Sequence, residues 1–354
     1  MKFVHIADMH FDAPFTTLSK NDFGNKRRLE QRQIFKQIIE YIAENEIDHL
    51  FICGDLYEHE YVKQSTIEYI NNIFKEIPNT KIYITPGNHD PKIKDSYYNK
   101  FNWNQNVYIF DENIKKISEE EADIYGFGFN NFYRQNSNID KIQIENPNKT
   151  NILLTHGTLD ASSKEDMQYN PISKKELKKI GFDYIGLGHI HKPSYKDEQN
   201  QNIIYPGSLI SLGFDELGNH GMIVGNIENK KLEIAFVPVD KSEFVELELD
   251  IETINSWEEL IVKLNELPIK DNKYYKIILK GKRNFEINTY EILKNIENKQ
   301  ILKIKDETKI KINLEELAKQ NNLKGIFVKN MLNKINAENE EQILKAIEIG
   351  LDAM

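Results

Sequence analysis

The chain has 354 residues, which is enough for two domains of ordinary size. Its 40% apolar and 29% charged residues are typical of a globular protein, and no apolar run approaches the ~20 residues that span a bilayer. A single cysteine excludes an intrachain disulfide, and the N-terminus MKFVHIADMH lacks the pattern of a signal peptide. We therefore expect a cytoplasmic protein that does not enter a membrane.

Apolar strand-like runs alternate with helical patterns over the first 190 residues. FVHIA precedes an amphipathic stretch from Lys26 to Asn45, and HLFICG precedes another from Lys63 to Ile77. Further strand-like runs follow in the order KIYIT, ADIYGFGF, NILLTHG, DYIGLGH, NIIYP and GMIVGNIENKKLEIAFVPV, the last being a hairpin that turns near Asn229. This alternation predicts an α/β domain over residues 1–240, built as a two-sheet β-sandwich flanked by helices.

The pattern restarts after Pro238. FVELELDI, YYKIILKG and QILKIK are typical of strands, and the stretches between them are typical of helices. We expect a small α+β domain over residues 244–310. Residues 311–354 form a helical, amphipathic tail. Its apolar residues fall into two stripes: Leu323, Phe327, Met331 and Ile335 in one, and Ile343, Ile347 and Leu351 in the other.

Polar residues with metal-ligand chemistry follow five strands of the first domain. They are Asp8, His10, Asp55, Glu58, His59, Asn88, His89, Asp90, His156, His189 and His191. A single histidine at a strand end is more often structural, but five such segments in order are not explained by core packing. The carboxyl ends of strands in an α/β sheet meet at one edge, so we expect these side chains to converge. Carboxylate, imidazole and amide ligands without a thiolate favour ions such as Mn²⁺ or Fe²⁺ over structural zinc.

The order of these segments resembles that of the calcineurin-like metallophosphoesterase superfamily. All five of its blocks are present, as ADMH, GDLY, GNHD, THG and GHIH, and the resemblance extends from Lys2 to Pro238. Within the superfamily, the segments HIADMHFDAPF, GDLYEHE, TPGNHDP, GHIHKP and YPGSL are most similar to SbcD-type DNA repair exonucleases, including their YhaO-like branch. A small capping domain and a helical tail fit that type as well.

The resemblance implies two divalent metal ions, usually Mn²⁺, with Fe²⁺, Mg²⁺ and Zn²⁺ as alternatives. It assigns the first ion to Asp8, His10, Asp55 and His191, and the second to Asp55, Asn88, His156 and His189, so that Asp55 bridges. The spacing of His189 and His191 agrees with this assignment, because alternate residues of an extended chain point the same way.

The resemblance further implies that His89 faces the scissile phosphate as a catalytic residue rather than a ligand. A histidine in that role needs a partner that fixes its tautomer. The family usually has Asp or His three residues after the bridging aspartate. This chain has Glu58 there, followed by His59, so Glu58 is a candidate catalytic residue and the partner of His89 stays open.

Charge is unevenly distributed along this acidic chain. The segment from Lys270 to Lys311 has twelve Lys or Arg against six Asp or Glu, a balance of +6 that leaves −16 for the remainder. If this domain caps the metal cleft, as the resemblance implies, Lys280, Lys282 and Arg283 would bind the DNA backbone without reading its sequence. The alternative is that these lysines fill solvated strand faces.

The resemblance implies a nuclease that hydrolyses phosphodiesters in double-strand-break repair, as a 3′–5′ exonuclease with endonuclease activity on single-stranded DNA. It also implies a homodimer and a partner, an SbcC-type SMC-like ATPase. The tail would dock on that ATPase, or its stripes would pack on the chain's own domains. A small-molecule phosphodiesterase or phosphatase on the same fold is the alternative function, because fold does not determine substrate. The complete ligand set argues against a third interpretation, a scaffold with a decayed site.

Overall fold

A computed structural model describes residues 1–15, 21–195, 201–311, 313–336 and 339–354 of the chain. These residues form two compact units. The first consists of Met1–Val245 and Asp271–Tyr274, and the second of Glu246–Lys270 and Tyr275–Met354. Within the described ranges, no helix is both long enough and apolar enough to cross a membrane.

The first unit contains the two sheets that the sequence predicts. Its strands are β1 (Lys2–Ile6), β2 (His49–Cys53), β3 (Lys81–Thr85), β4 (Val107–Ile109), β5 (Lys115–Ser118), β6 (Ala122–Gly126), β7 (Thr150–His156), β8 (Tyr184–Gly188), β9 (Ile203–Ile204), β10 (Gly221–Glu228) and β11 (Lys231–Pro238). One sheet has the order β11-β10-β1-β2-β3-β4 and the other β5-β6-β7-β8-β9. Strands β1 to β4 are parallel, as are β6 to β9, whereas β10, β11 and β5 pair antiparallel.

Helices cover the outer faces of this sandwich. They are α1 (Asn21–Glu44), α2 (Gln64–Phe74), α3 (Tyr97–Lys100) and α4 (Lys174–Ile180). Because side chains alternate along a strand, Leu50 and Ile52 of β2 join the core under α1 and α2, while Phe51 and Cys53 join the core between the sheets. The central strands β1, β2 and β3 are therefore buried on both faces, and the predicted sandwich flanked by helices is confirmed.

The chain from residue 243 onward forms smaller elements. They are β12 (Glu243–Asp250), α5 (Trp257–Asn265), β13 (Lys273–Lys280), β14 (Lys282–Arg283), α6 (Thr289–Asn295), β15 (Ile301–Asp306), β16 (Lys309–Ile310), α7 (Leu314–Leu317), α8 (Leu323–Leu332) and α9 (Glu340–Asp352). The sheets have the orders β12-β13-β15 and β14-β16. Three residues of the predicted tail, Ile312, Ala337 and Glu338, lie outside the described residues. The division into domains 1–240, 244–310 and 311–354 stays a prediction.

The two stripes of the tail pack on each other. Phe327 and Met331 of α8 lie in one apolar cluster with Ile343 and Ile347 of α9. The prediction of the first stripe is wrong at Leu323, because this residue begins α8 and is 71% exposed. The packing of Phe327 and Met331 on Ile343 and Ile347 is therefore observed, and any docking would have to use side chains outside this cluster.

A buried ion pair joins α1 to the chain that follows β11. The Arg27 guanidinium is fully buried and donates to Asp240 at 2.7 Å and to the Ser211 carbonyl at 2.8 Å. Because removing one partner of a buried pair leaves an unpaired buried charge, Arg27→Met should lower the free energy of unfolding by about 3–5 kcal/mol.

Urea unfolding followed by Trp103 fluorescence in a Trp257→Phe background would measure this, since each compact unit holds one tryptophan. The matched control is Lys36→Met on the same helix. The Lys36 side chain is 55% exposed, and we expect a change within about 0.5 kcal/mol. Equal effects of the two substitutions would contradict a stabilising role for the pair.

Candidate metal centre

The carboxyl ends of five strands bring the seven predicted ligands together in the first unit. Asp8 and His10 follow β1, Asp55 follows β2, Asn88 follows β3, His156 ends β7, and His189 and His191 follow β8. Direct bonds tie these strand ends to one another. The His10 amide donates to the Asp55 carbonyl at 2.8 Å, and the His189 amide donates to the Asp8 carboxylate at 2.9 Å.

His10 and His191 face each other through the same type of nitrogen. Their Nε2 atoms are 3.1 Å apart, and Asp8 joins them in a group whose ligand atoms lie within 4.8 Å of one another. Two nitrogens that share one ion at about 2.1 Å, at right angles, are about 3 Å apart. The pair therefore has the separation expected of two ligands to a common ion.

A second group of donors surrounds the Asn88 side chain. Its Oδ1 is 3.0 Å from His156 Nε2 and 3.2 Å from His189 Nδ1. His189 thus points its Nδ1 inward, whereas His10, His156 and His191 point Nε2 inward. His189 and His191 consequently serve different donor groups, as their alternate spacing predicts.

Asp55 lies between the two groups. Its Oδ2 is 3.7 Å from His10 Nε2 and 3.3 Å from His156 Nε2, so one carboxylate oxygen approaches a histidine of each proposed ligand set. Its Oδ1 accepts a hydrogen bond of 2.8 Å from the His89 amide. This position is the one that a bridging carboxylate requires.

The backbone is strained where it presents these ligands. Asp8, His10, Asp55 and His189 all have positive φ angles, at 52°, 49°, 52° and 100°. Such angles are uncommon for residues other than glycine and concentrate at functional sites. The close approach of strands also explains a glycine of the GHIH block, since a Cβ at Gly188 would lie 1.7 Å from the Cys53 carbonyl oxygen.

Three of the histidines have their outer nitrogen fixed by an acceptor. The Nδ1 of His10 donates to Glu58 at 2.7 Å, that of His156 to the Cys53 carbonyl at 2.9 Å, and that of His191 to Glu216 at 2.5 Å. Each bond leaves the lone pair of Nε2 directed toward the cluster. Outer partners of this kind orient ligating histidines and raise their basicity.

Nearby carboxylates raise the pKa of two of these histidines. Burial lowers the pKa of His156, but the Asp55 and Asp8 carboxylates outweigh it and raise that pKa to about 9. Burial likewise lowers the pKa of His191, yet its bond to Glu216 and the charge of Asp8 raise it to about 9. The charge that the carboxylates favour can be supplied by protons or by metal ions.

The residues present therefore fit a pair of divalent ions. Imidazole, carboxylate and amide oxygen converge in two groups, a carboxylate lies between the groups, and the lone pairs are oriented from behind. This donor set suits Mn²⁺ or Fe²⁺. The assignment of each ligand to one ion stays a prediction.

Glu58 connects a proposed ligand to the proposed catalytic histidine. Its Oε1 accepts from His10 Nδ1 at 2.7 Å, and its Oε2 accepts from His89 Nδ1 at 3.0 Å. Burial lowers the pKa of His89, but the bond to Glu58 and the charge of Asp55 raise it to about 9. Glu58 thus occupies the place of the tautomer-fixing partner that the sequence left open. The catalytic roles of both residues remain predictions.

Two carboxylates of the motif segments, those of Asp90 and Asp12, hold loops in place and do not orient the side chains of the proposed metal ligands. Asp90 is buried and accepts hydrogen bonds from the Asp55, Leu56 and Gly87 amides at 3.0, 2.7 and 2.6 Å. Asp12 accepts from the Thr66 hydroxyl and from the Arg32 guanidinium. Asp12 therefore fixes the start of α2.

The predicted DNA-contacting residues lie in the second unit. Lys280 pairs with Glu307 at 2.5 Å and with Glu248 at 3.4 Å. Arg283 donates to the Phe285 carbonyl at 2.6 Å and to the Thr308 hydroxyl at 2.8 Å, and its guanidinium lies 3.5 Å from Asp306. Lys282 is exposed on β14. The local positive charge is therefore partly neutralised within the unit.

Two residues that contact the proposed metal ligands, Glu216 and Tyr169, were not predicted from the sequence. Glu216 follows His191 by 25 residues in a segment without strand or helix periodicity, and two nearby glycines were the sole signal of a turn there. Tyr169 packs its ring against His189, with the ring centroids 5.1 Å apart, and Tyr133 packs against Tyr169.

Donors from five strand ends of a helix-flanked sandwich define a metal-dependent hydrolase. The profile of the calcineurin-like phosphoesterase family matches residues 1–193, which include all seven donors. The chain belongs to this family, whose members bind two divalent metal ions.

Curated relatives agree with this assignment. The chain is 25% identical over 246 residues to the uncharacterized metallophosphoesterase YhaO of Bacillus subtilis, a match that covers 67% of this chain and 60% of the relative. It is 29% identical over 279 residues to the D component of the nuclease SbcCD of Staphylococcus epidermidis, which covers 68% of this chain and 70% of that one. An archaeal phosphodiesterase of known structure covers 67% of this chain and aligns over its own full length, with 15% identity and a TM-score of 0.36.

Proposed function

We propose that this protein is a two-metal-dependent DNA nuclease that hydrolyses phosphodiester bonds. The observation that carries the proposal is the convergence of seven donor side chains beside His89, which the Glu58 carboxylate holds in place. The staphylococcal relative named as a nuclease supports a nucleic acid as the substrate class, and the resemblance of the sequence to DNA repair exonucleases favours DNA. The resemblance of the sequence favours 3′–5′ exonuclease activity, with endonuclease activity on single strands, in double-strand-break repair.

The chain's own residues have separate tasks in this chemistry. Two divalent ions bound there would supply a nucleophile at neutral pH by lowering the pKa of water, and would neutralise charge on the phosphoryl oxygens. His89 holds its Nδ1 against Glu58, which leaves Nε2 to carry a proton to the leaving oxygen. The His89 side chain is 45% exposed and so is accessible to a substrate.

The proposed partner is an SbcC-type SMC-like ATPase. The name of the staphylococcal relative, which makes it one component of SbcCD, supports a complex of this kind. In the tail, Leu323, Ile326 and Ile349 are 71%, 56% and 63% exposed and would form the docking surface, since the two stripes pack on each other. A homodimer remains a prediction from the resemblance, and a cytoplasmic location remains a prediction from the composition of the sequence.

Incubation of the purified chain with Mn²⁺ and either end-labelled linear DNA or bis-p-nitrophenyl phosphate tests the proposal. We expect metal-dependent cleavage of both substrates, abolished by EDTA. Hydrolysis of the small ester without any cleavage of double- or single-stranded DNA would contradict it. That result would favour a small-molecule phosphodiesterase, a function consistent with the ion pairing of Lys280 with Glu307.

The basic segment of the second unit provides a sharper test of the substrate. Replacing Lys280, Lys282 and Arg283 together with alanine should weaken DNA cleavage and spare the small ester, because duplex DNA needs a positive surface beyond the metal centre. The slope of log affinity against log salt should fall by about one for each DNA phosphate that no longer meets a cation.

The matched control removes the same charge from the first unit, through Lys36→Ala, Lys100→Ala and Lys231→Ala. These side chains are 55%, 56% and 79% exposed. If both triple variants change the salt slope equally, the basic segment has no specific part in DNA binding.

A further inference from the structure

The segment between β9 and β10 fixes the outer side of His191. Glu216 lies in this segment, and its Oε1 accepts a hydrogen bond of 2.5 Å from His191 Nδ1. The opposite nitrogen of the same ring, Nε2, lies 3.1 Å from His10 Nε2. A carboxylate can only accept, so it holds the proton of His191 on Nδ1 and leaves the lone pair on Nε2.

The Glu216 carboxylate is itself held at its second oxygen. Its Oε2 accepts from the Ser208 hydroxyl and from the Leu212 amide, both at 3.1 Å. The side chain is only 15% exposed. With both oxygens bonded, the carboxylate has one orientation and imposes it on the His191 ring.

The backbone of Glu216 is also braced. Its carbonyl accepts from the Ser211 hydroxyl at 2.8 Å and from His220 Nε2 at 3.0 Å. Ser211 in turn donates its amide to Asp240 at 3.0 Å, and Asp240 is bound by the buried guanidinium of Arg27. A chain of bonds therefore runs from α1 to the His191 ring.

We propose that Glu216 is the positioning residue of His191 and sets the affinity of the protein for the ion on the His10–His191 side. Loss of an outer partner of a ligating histidine typically lowers metal affinity by about 10–100-fold. The inference rests on the metal centre of the proposed function and is independent of whether the substrate is DNA. The alternative is that Glu216 only closes its own loop through Ser208 and Leu212, in which case metal affinity would not depend on it.

Mn²⁺ titration by isothermal calorimetry tests the proposal on the full chain. Glu216→Ala should weaken one of two binding events by about 10–100-fold and leave the other near its wild-type value. Glu216→Gln keeps an acceptor for His191 Nδ1 and should recover part of the affinity. The matched control is Asp215→Asn, which removes one negative charge from an exposed neighbour and should change neither event.

A second readout follows the histidine rather than the metal. In metal-free, ¹⁵N-histidine-labelled protein at a pH above the His191 pKa of about 9, the ring should carry its single proton on Nδ1 in wild type and in Glu216→Gln, and should populate both tautomers in Glu216→Ala. Equal Mn²⁺ affinities in Glu216→Ala and Asp215→Asn, or an unchanged tautomer in Glu216→Ala, would overturn the proposal. Failure of the proposed function is a different result, in which wild type binds two Mn²⁺ ions but does not cleave DNA.

Discussion

Replacing His89 with glutamine should lower the turnover of DNA by ~10²–10⁴-fold while both metal ions and DNA affinity are retained. His89 lies outside the seven donors, and its Nδ1 is bonded to Glu58 at 3.0 Å, so its loss removes a proton donor rather than a ligand. Single-turnover cleavage at saturating Mn²⁺ measures the rate, and elemental analysis measures the metal content.

The matched control is His59→Gln, which changes a neighbouring histidine whose ring contacts Phe132 at 6.0 Å between centroids. It should cleave DNA at close to the wild-type rate. A His89→Gln enzyme that also cleaves at close to that rate would rule out the proposed role. Loss of metal from His89→Gln would instead show that His89 is a metal ligand.

Replacing Asp55 with alanine should have a larger effect, with hydrolysis falling to the level of the buffer blank. Asp55 Oδ2 approaches both His10 and His156, so its removal takes a ligand from each proposed ion. We expect bound Mn²⁺ to fall from about two ions per chain to well below one, because a two-metal site depends on the carboxylate between its ions. Equilibrium dialysis with elemental analysis would measure this stoichiometry.

Asp12→Asn serves as the control for Asp55→Ala. Asp12 belongs to the segment that carries Asp8 and His10, but its carboxylate binds Arg32 and Thr66. This variant should keep both ions. Retention of two tightly bound ions in Asp55→Ala would show that the bridging assignment is wrong.

The fold was predictable where the strands are buried on both faces. Runs such as FVHIA, HLFICG and KIYIT are mostly apolar because alternate side chains enter two different cores, and this produces a strong signal. Short elements produced no such signal. Helix α4 has one buried residue, Leu177, and is delimited instead by the Ser173 cap and by Gly181 at a φ of 84°.

The candidate site was predictable as a set of residues, because each donor follows a strand and parallel strands end at a common edge. Its geometry was not predictable in the same way. The choice of Nδ1 by His189 and of Nε2 by His156 depends on ring orientation, which the spacing of residues does not specify. Glu58 was identified by its place in the motif, yet its simultaneous bonds to His10 and His89 are a property of the folded chain.

The remaining differences between the predictions from sequence and the structure arise from residues that pair across long distances in the sequence. Glu216 reaches His191 across 25 residues, and the acidic partners of Lys280 come from Glu307 on one side and Glu248 on the other. A count of charges along the sequence registers the basic segment but does not register how those charges pair in space. The same holds for Leu323, which has the period of a buried stripe but lies at the exposed start of its helix.

We propose that seven side chains at the strand ends hold two metal ions. Anomalous diffraction at the manganese edge, from crystals of the wild-type chain grown with Mn²⁺, would locate these ions. We predict two peaks ~3.5–4 Å apart, one beside Asp8, His10 and His191 and the other beside Asn88, His156 and His189, with Asp55 between them. A single peak, or peaks away from these residues, would contradict a two-metal centre at these strand ends.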